Sequence, residues 1–382
     1  MQVEDGRRSW DRGLPLRYLL VAADGEQVWA RCADAEGLFA DPVPAPRERL
    51  TFLGCDPAGP LRTAVEQPAG AAARLGELCL EVGDGKRPVE WWGLTDAEVV
   101  DRRPSSIGPA LVDVVVEAGV EEPEEGRAEL TGQRRFELFA KDSLGTCEGV
   151  EGLYVERSGP PEEPMKLIGC EPTEELRAVL DAPESGAAAE LWALDRTGRP
   201  MTSRNLALDV VEVRPSALGG DLLDITLADG VDDPPPLLAE PVWEAWYEGV
   251  PDTLNEWARF TPEGRHEWLK VAFRNRASGR ADVSGATYHV DGTHVTDVYG
   301  LHCALGEALH GPGGYYGMDW QSFNDCLGGG AGVVPPFTLV WHDAETARRA
   351  LAGVVEDAEE GLTYFEEIVR RLERYGVVVE LQ

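Results

Sequence analysis

The stretch GPGGYYGMDWQSFNDCLGG, residues 311–329, sets a Gly-Pro-Gly-Gly loop before two adjacent tyrosines and ends a short amphipathic turn in Asp-Cys-Leu. Such a loop is expected to expose backbone N–H groups and flat aromatic faces, with the next segment presenting a carboxylate from a rigid helix. That combination suits docking on a partner better than filling a core. Upstream, TYHVDG (287–292) reads as a short strand ending in a turn. Val298, Leu301, Leu305 and Leu309 then recur at helical intervals, with Thr296 or Asp297 able to cap the start. Downstream, FTLVWH (337–342) reads as a buried strand and DAETARRALAGVV (343–355) as a helix with Asp343 at its N-cap. Leu362, Phe365, Ile368, Val369 and Leu372 form the stripe of another helix, and GVVVEL (376–381) a closing strand after a Gly376 cap. Strands linked by helices imply a small three-stranded parallel sheet covered by helices.

These residues, in this order and spacing, resemble the barstar-like ribonuclease inhibitors over about residues 286–382. The likeness rests on Leu301-His302, GPGGYYG at 311–317, DCL at 325–327, LVW at 339–341 and the final helix-Gly-strand. The resemblance implies a protein that lays a tyrosine loop and the following helix over a ribonuclease active site, with an aspartate entering where substrate phosphate would sit. Matched residue by residue, Tyr315 takes the place of the loop tyrosine and Asp325 that of the aspartate. The implied contact face is Tyr315, Tyr316, Gly317, Asp319, Trp320, Gln321, Asn324 and Asp325. A carboxylate on a rigid element can form charge-assisted, bidentate bonds to arginines arranged for phosphate.

The sequence departs from the family at three places. Asn324 stands where an aromatic is expected, Gln321 where an acid is, and Arg371 where a late-helix glutamate is. Arg371 would repel a basic active site. Trp320 could supply the missing aromatic or be buried, and Glu366, Glu367 and Glu373 could replace the lost acid or be a solvated face.

The first 230 or so residues carry a repeat. LTFLGCDPAGPLRTAVEQP (50–68) returns as MKLIGCEPTEELRAVLDAP (165–183), followed in each case by an Ala-rich patch, Ala71–Ala73 and Ala187–Ala189. RRPSSIGPALVDVVVEAG (102–119) returns as VRPSALGGDLLDITLADG (213–230). Each copy reads as mostly antiparallel β: a strand that stops at Leu-Gly-Cys-acid-Pro, with the proline suited to the first turn of a short helix that carries Leu61 and Val65 or Leu176 and Leu180 on one side, and a closing strand that ends on glycine. Cys55 and Cys170 read as core residues rather than a reactive pair. Acidic, proline-containing segments at 120–129 and 229–241 mark linkers. Trp243, Trp246, Trp257 and Trp268 lie on predicted helical segments broken at Pro251 and Pro262, a helical brace. The expected layout is a multidomain α+β and α/β chain: β-rich copies at 1–120 and 130–231, a Trp-rich helical linker at 240–280 and a barstar-like domain at 282–382.

Composition narrows the function. With 69 acidic against 35 basic residues the formal net charge is −34, which repels nucleic acid and anionic membranes and favours encounter with basic proteins. Simple solubility accounts for the same charge equally well. The start, MQVEDGRRSWDRG, has no apolar targeting region, and no stretch nears the roughly 18 apolar residues of a membrane span, so a cytoplasmic location is expected. Seven cysteines at scattered spacings, without C-x-x-C, argue for reduced, mostly buried thiols and against a disulfide framework or structural zinc. His289, His294, His302, His310 and His342 lie in the last domain with Cys303 and Cys326, yet no H-E-x-x-H spacing occurs and His302 adjoins Cys303 on another helix face. Phosphate-cradling, dinucleotide and nucleophile-elbow motifs are absent, so no cofactor and no enzyme activity are expected. The reading is a cytoplasmic immunity-type inhibitor whose partner is a basic ribonuclease or nuclease toxin, with no direct nucleic-acid or membrane partner. The alternative is a multidomain interaction or regulatory protein whose barstar-like domain no longer inhibits a nuclease.

Overall fold

A computed structural model of the chain describes residues 10, 12–25, 27–41, 43–67, 72–83, 87–123, 134–157, 164–181, 187–276, 279, 281–357 and 361–382. Most of the acidic linker read at 120–129 and the first alanine of the patch at 71–73 lie outside the described residues. The chain packs as two compact units, Val43–Pro161 and Met1–Pro42 with Glu162–Gln382. No helix among the described residues is long and apolar enough to cross a membrane.

The chain opens with β1 (Tyr18–Ala22), β2 (Val28–Cys32) and β3 (Asp34–Glu36), followed by β4 (Arg47–Pro57), α1 (Gly59–Glu66), β5 (Ala73–Gly83), β6 (Pro88–Pro104) and β7 (Val112–Glu121). Next come β8 (Arg135–Phe139), β9 (Ser143–Cys147) and β10 (Gly149–Glu151). The last β-rich segment holds β11 (Lys166–Pro172), α2 (Glu174–Asp181), β12 (Ala187–Leu194), β13 (Pro200–Leu208), β14 (Val210–Pro215) and β15 (Leu223–Leu227).

In the unit 43–161 the ladder runs β4-β7-β6-β5-β8-β9, all antiparallel, and β9 returns to β4 through Asp56 opposite Thr146. The sheet thus closes as a six-stranded barrel, which removes the free edges an open sheet would expose. Its lining alternates as a pleat demands, with Leu78, Leu80 and Val82 from β5, Trp92 and Leu94 from β6, and Val114, Val116 and Ala118 from β7 all buried. The other unit carries the order β13-β12-β1-β2-β11-β15-β14. Here β13 and β14 are separated only by Asp209, where β6 runs unbroken, so the same circuit is completed through one interrupted strand.

The packing does not follow the linear boundaries 1–120 and 130–231. Strands β1 to β3 precede β4 in sequence but pair with β11 and β12, whereas β8 to β10 precede β11 and pair with β4 and β5. Each hairpin completes the ring that the other's following strands begin. Both hairpins carry Cys-x-x-x-Glu-Gly-Leu-aromatic, Cys32 to Phe39 and Cys147 to Tyr154, and both leucines are buried. The two are therefore chemically matched to either ring. The Leu-Gly-Cys motif has a shared cause as well. Gly54 (φ +58°) and Gly169 (φ +59°) adopt left-handed backbone at a register shift, with their amides held by Asp113 (2.9 Å) and Asp224 (3.0 Å). A side chain there would meet Ile107 or Leu218, residues at matching places in the two segments. Pro57 and Pro172 end strands rather than opening the helices, which start two residues later.

The brace comprises a 3-10 turn (Leu237–Ala239), α3 (Glu240–Tyr247), a second 3-10 turn (Glu256–Arg259) and α4 (Pro262–Asn275), and all four of its tryptophans are buried. Thr261 caps α4 by accepting from Gly264 N, and Pro262 occupies its first turn. Buried Glu267 on α4 takes Arg204 of β13 at 2.7 Å and the Trp243 indole at 2.8 Å, and buried Arg265 pairs with Asp297. These ties bind the brace on both sides.

The remaining elements are β16 (Thr287–Asp291), α5 (Val298–His310), α6 (Trp320–Gly328), β17 (Thr338–His342), α7 (Ala344–Ala350), the short pair β18 (Val355–Asp357) and β19 (Leu362–Thr363), α8 (Tyr364–Arg374) and β20 (Val378–Leu381). β17 lies between β16 and β20 in a three-stranded parallel sheet, with Val290 opposite Trp341 and Leu339 opposite Val379. Asp297 caps α5 through Gly300 N at 2.8 Å. Asp343 stands at the N-cap of α7, as its sequence position implies, but its side chain makes no cap hydrogen bond. Its backbone is left-handed (φ 52°) and its carboxylate accepts from Thr293 Oγ1 instead. Nor is residue 282 an energetic boundary, since Trp246, Trp257 and Trp268 share one apolar core with Leu301, Leu305, Tyr315 and Trp341.

Candidate partner-binding face

The tyrosine loop is a packed element. α5 is buried on nearly every side, and the loop that leaves it at Gly311 folds back so that Pro251 and Trp246 of the brace fill the space beside Gly313. Tyr315 is only 4% exposed and meets Phe273 of α4 edge-on at 5.1 Å, and burial pushes its phenol up to about 12. Tyr316 is fully buried, its hydroxyl 3.0 Å from the Val333 carbonyl oxygen and 3.2 Å from that of Cys326. Gly317 has φ +89°, and any side chain there would run into the Phe323 backbone. The exposed aromatic faces expected of this loop are thus turned inward. For Tyr315 the physical cause is that the brace supplies a second apolar wall through Phe273, and Tyr316 is covered by Phe323 and His310.

α6 is the opposite case. Asp319 caps it in a reciprocal box, accepting from Ser322 N at 2.7 Å while Ser322 Oγ accepts from Asp319 N at 3.2 Å. Partial burial pushes the Asp319 carboxyl up, but the Ser322 bonds outweigh it and hold the group below its ordinary value. Phe323, Cys326 and Leu327 anchor the helix inward. Gln321, Asp325 and Gly328 are exposed at i, i+4 and i+7, one stripe of the helix. The Asp325 carboxylate makes no hydrogen bond or ion pair among the described residues, and it stands on an element that cannot easily shift.

Two of the three departures from the family pattern, Asn324 and Arg371, touch each other. Trp320 is half-buried and stacks on Tyr364 with centroids 4.3 Å apart, while the Arg371 guanidinium lies 4.3 Å over the other partner of that stack, the Trp320 ring. Arg371 donates to Glu367 at 2.6 Å and to Asn324 Oδ1 at 3.3 Å. Glu367 is buried and also takes Arg370. Arg371 is therefore charge-matched within the domain. Glu366 is engaged in the α8 capping box and with Arg348, which leaves Glu373 as the exposed acid of this helix.

The histidines and cysteines do not assemble a nucleophile. His302 is fully buried, its Nε2 2.7 Å from the Tyr364 hydroxyl, and burial lowers it to about 4. Burial raises the Cys303 thiol well above its ordinary value and Cys326 to about 11. Neither is poised as a thiolate near neutrality. His289 of β16 and His342, the last residue of the central strand β17, stack with ring nitrogens 3.0 Å apart. Among the described residues no three of His, Cys, Asp and Glu group as a metal ion would require.

Sequence reasoning located the helix α6 but missed the Asn324–Arg371–Glu367 link. The i, i+4 spacing of Glu367 and Arg371 was its available signal. No curated protein matches the chain. A family model does: residues 285–382 match barstar (barnase inhibitor), and the C-terminal segment of the chain is a barstar-like domain.

Proposed function

We propose that the chain is a protein inhibitor, of the immunity type, that binds and blocks a basic ribonuclease or nuclease toxin through the exposed stripe of α6. The observation that carries this reading is the free Asp325 carboxylate on a capped, well-anchored helix. Placed against cations arranged for a phosphate, it forms charge-assisted bonds without having to be reoriented. Gln321, Asn324 and Trp320 flank it, Asp319 fixes the helix start, and Tyr315, Tyr316 and Gly317 act by holding the loop rather than by touching the partner. A formal charge of −34 speeds encounter with a basic protein and makes the association rate fall with salt. The protein acts by occupying a site rather than by chemistry, in the cytoplasm, and the two β-barrels are two copies of one module that extend or position the inhibitor.

A second reading has its own support. Phe273 covers Tyr315, and Arg371 stands where an acid would face a basic enzyme. These favour a multidomain interaction protein whose barstar-like domain serves a partner other than a nuclease.

RNA cleavage by a barnase-type ribonuclease, titrated with the full chain, separates the two. An endpoint near one to one, weakened by about 3–5 kcal/mol in Asp325→Ala, or roughly two to three and a half orders of magnitude in Kd, supports the inhibitor. Undiminished cleavage in the presence of excess folded chain sinks it and leaves the interaction protein.

A further inference from the structure

Four of the seven cysteines form two matched pairs, one in each ring. Cys55 Sγ lies 2.7 Å from Cys147 Sγ, and Cys170 Sγ lies 3.0 Å from Cys32 Sγ. In both cases the partners are directly opposed across an antiparallel ladder. The register that sets Asp56 opposite Thr146 carries on to Cys55 and Cys147, and the register that sets Glu171 opposite Arg31 carries on to Cys170 and Cys32. Opposed residues in such a ladder have Cα atoms about 4.5–5.5 Å apart, inside the roughly 4.4–6.8 Å that a disulfide spans. The left-handed glycines Gly54 and Gly169 immediately precede the two body cysteines, at the same register shift in each ring. All four cysteines are buried, whereas Cys79, Cys303 and Cys326 make no sulfur–sulfur contact among the described residues.

Against the reduced thiols expected from the cysteine spacing and from a cytoplasmic location, we propose that Cys55 with Cys147, and Cys32 with Cys170, are disulfide-forming sites that staple each exchanged hairpin into its ring. Closing one bridge joins two sulfurs and releases two protons and two electrons. A small disulfide oxidant such as oxidised glutathione takes these up as its own sulfur–sulfur bond breaks to two thiols. In the closed barrels the neighbouring thiol and burial hold Cys147 protonated, and burial and then its neighbour do the same for Cys170. Attack needs a thiolate, so the bridges form while the hairpins are docking during folding, and they are then shielded from reductant.

The test refolds the full chain from denaturant in a glutathione redox buffer, blocks free thiols, and maps peptides without reduction. The expected product is lighter than the reduced chain by four hydrogens, has three titratable thiols of the seven cysteines, and yields peptides linking 32 to 170 and 55 to 147. Reduction should lower the melting temperature by roughly 10 °C. Seven free thiols after refolding to native circular dichroism overturn the proposal. So do peptides linking 32 to 55 and 147 to 170, the bonds that unexchanged hairpins would make. Cys55→Ser and Cys170→Ser, each expected to retain the other bridge, keep the assignment testable if the double variant fails to fold.

Discussion

Residues 311–317 and residues 319–328 follow one another closely in sequence, each carry two aromatic residues, and end in opposite environments. The first segment buries Tyr315 and Tyr316 and bends at a glycine that no other residue can replace, while the second lays Gln321, Asp325 and Gly328 along solvent. The difference comes from what stands behind each. The loop meets the brace through Phe273, Trp246 and Pro251, whereas the outer face of α6 meets nothing among the described residues. Composition alone identifies a segment that can dock. Which half is left free to do so depends on an element about fifty residues earlier in the chain.

Substitution on the two sides of this divide should give opposite signatures. Tyr316→Ala removes a fully buried ring and its hydroxyl bond, and should cost about 3–5 kcal/mol of stability, read as a loss of urea midpoint. Asp325→Ala should move stability by no more than about 0.5 kcal/mol while removing most of the binding. A stable Tyr316→Ala protein would mean that the loop is not the packed element described. A strongly destabilised Asp325→Ala protein would mean that the helix face is not free.

Protonation sharpens the same contrast, because the loop side hides a histidine. His302 takes a proton near pH 4 in the folded chain and near 6.5 when unfolded, so above about pH 6.5 it contributes no pH dependence. As pH falls from 6.5 toward 4 the unfolded chain binds the proton and the folded chain does not, and stability drops by about 1.4 kcal/mol per pH unit. Between pH 7 and pH 5 the share of His302 is about 2 kcal/mol. Urea unfolding at the two pH values should show that loss, and His302→Gln should reduce it. An unchanged pH dependence in the variant would place the imidazole in contact with water.

Much of this was legible in the sequence, and the failures have physical causes. Helical and strand periodicity located β16, α5, β17, α7, α8 and β20 but not the short pair β18 and β19, because α8 carries one apolar stripe and β17 is an apolar run, while the stretch read as helix over 343–355 ends at Ala350. The Leu-Gly-Cys-acid-Pro repeat was visible because the left-handed glycine at its bulge is a local requirement, whereas the clamping aspartates Asp113 and Asp224 lie 59 and 55 residues further on and were carried by the second repeated stretch. The exchange of hairpins was not, since pairing between Cys55 and Cys147 is a long-range choice among strands of equal pattern. The second Cys-x-x-x-Glu-Gly-Leu-aromatic repeat was the signal that could have raised it. Tyr315 was misjudged for a related reason: an aromatic beside glycines suits an exposed loop until a second wall, here Phe273, is brought to it.

The smallest effect tests whether the departures from the family pattern are independent. If Asn324 and Arg371 had changed separately, each would be a lone loss on an old contact surface, and their substitutions would add. Their contact at 3.3 Å, with Arg371 also stacked on Trp320 and paired to buried Glu367, makes them one unit instead. Asn324→Ala and Arg371→Ala, singly and together, should then show a coupling of about 0.5–1 kcal/mol in unfolding free energy. The same linkage predicts that Arg371→Glu, although it puts back the acid the family resemblance calls for, destabilises the domain by leaving Glu367 with a like charge beside it. Additive single effects, or a stable Arg371→Glu protein, would return these two departures to separate histories and the α6 face to a simpler electrostatic reading.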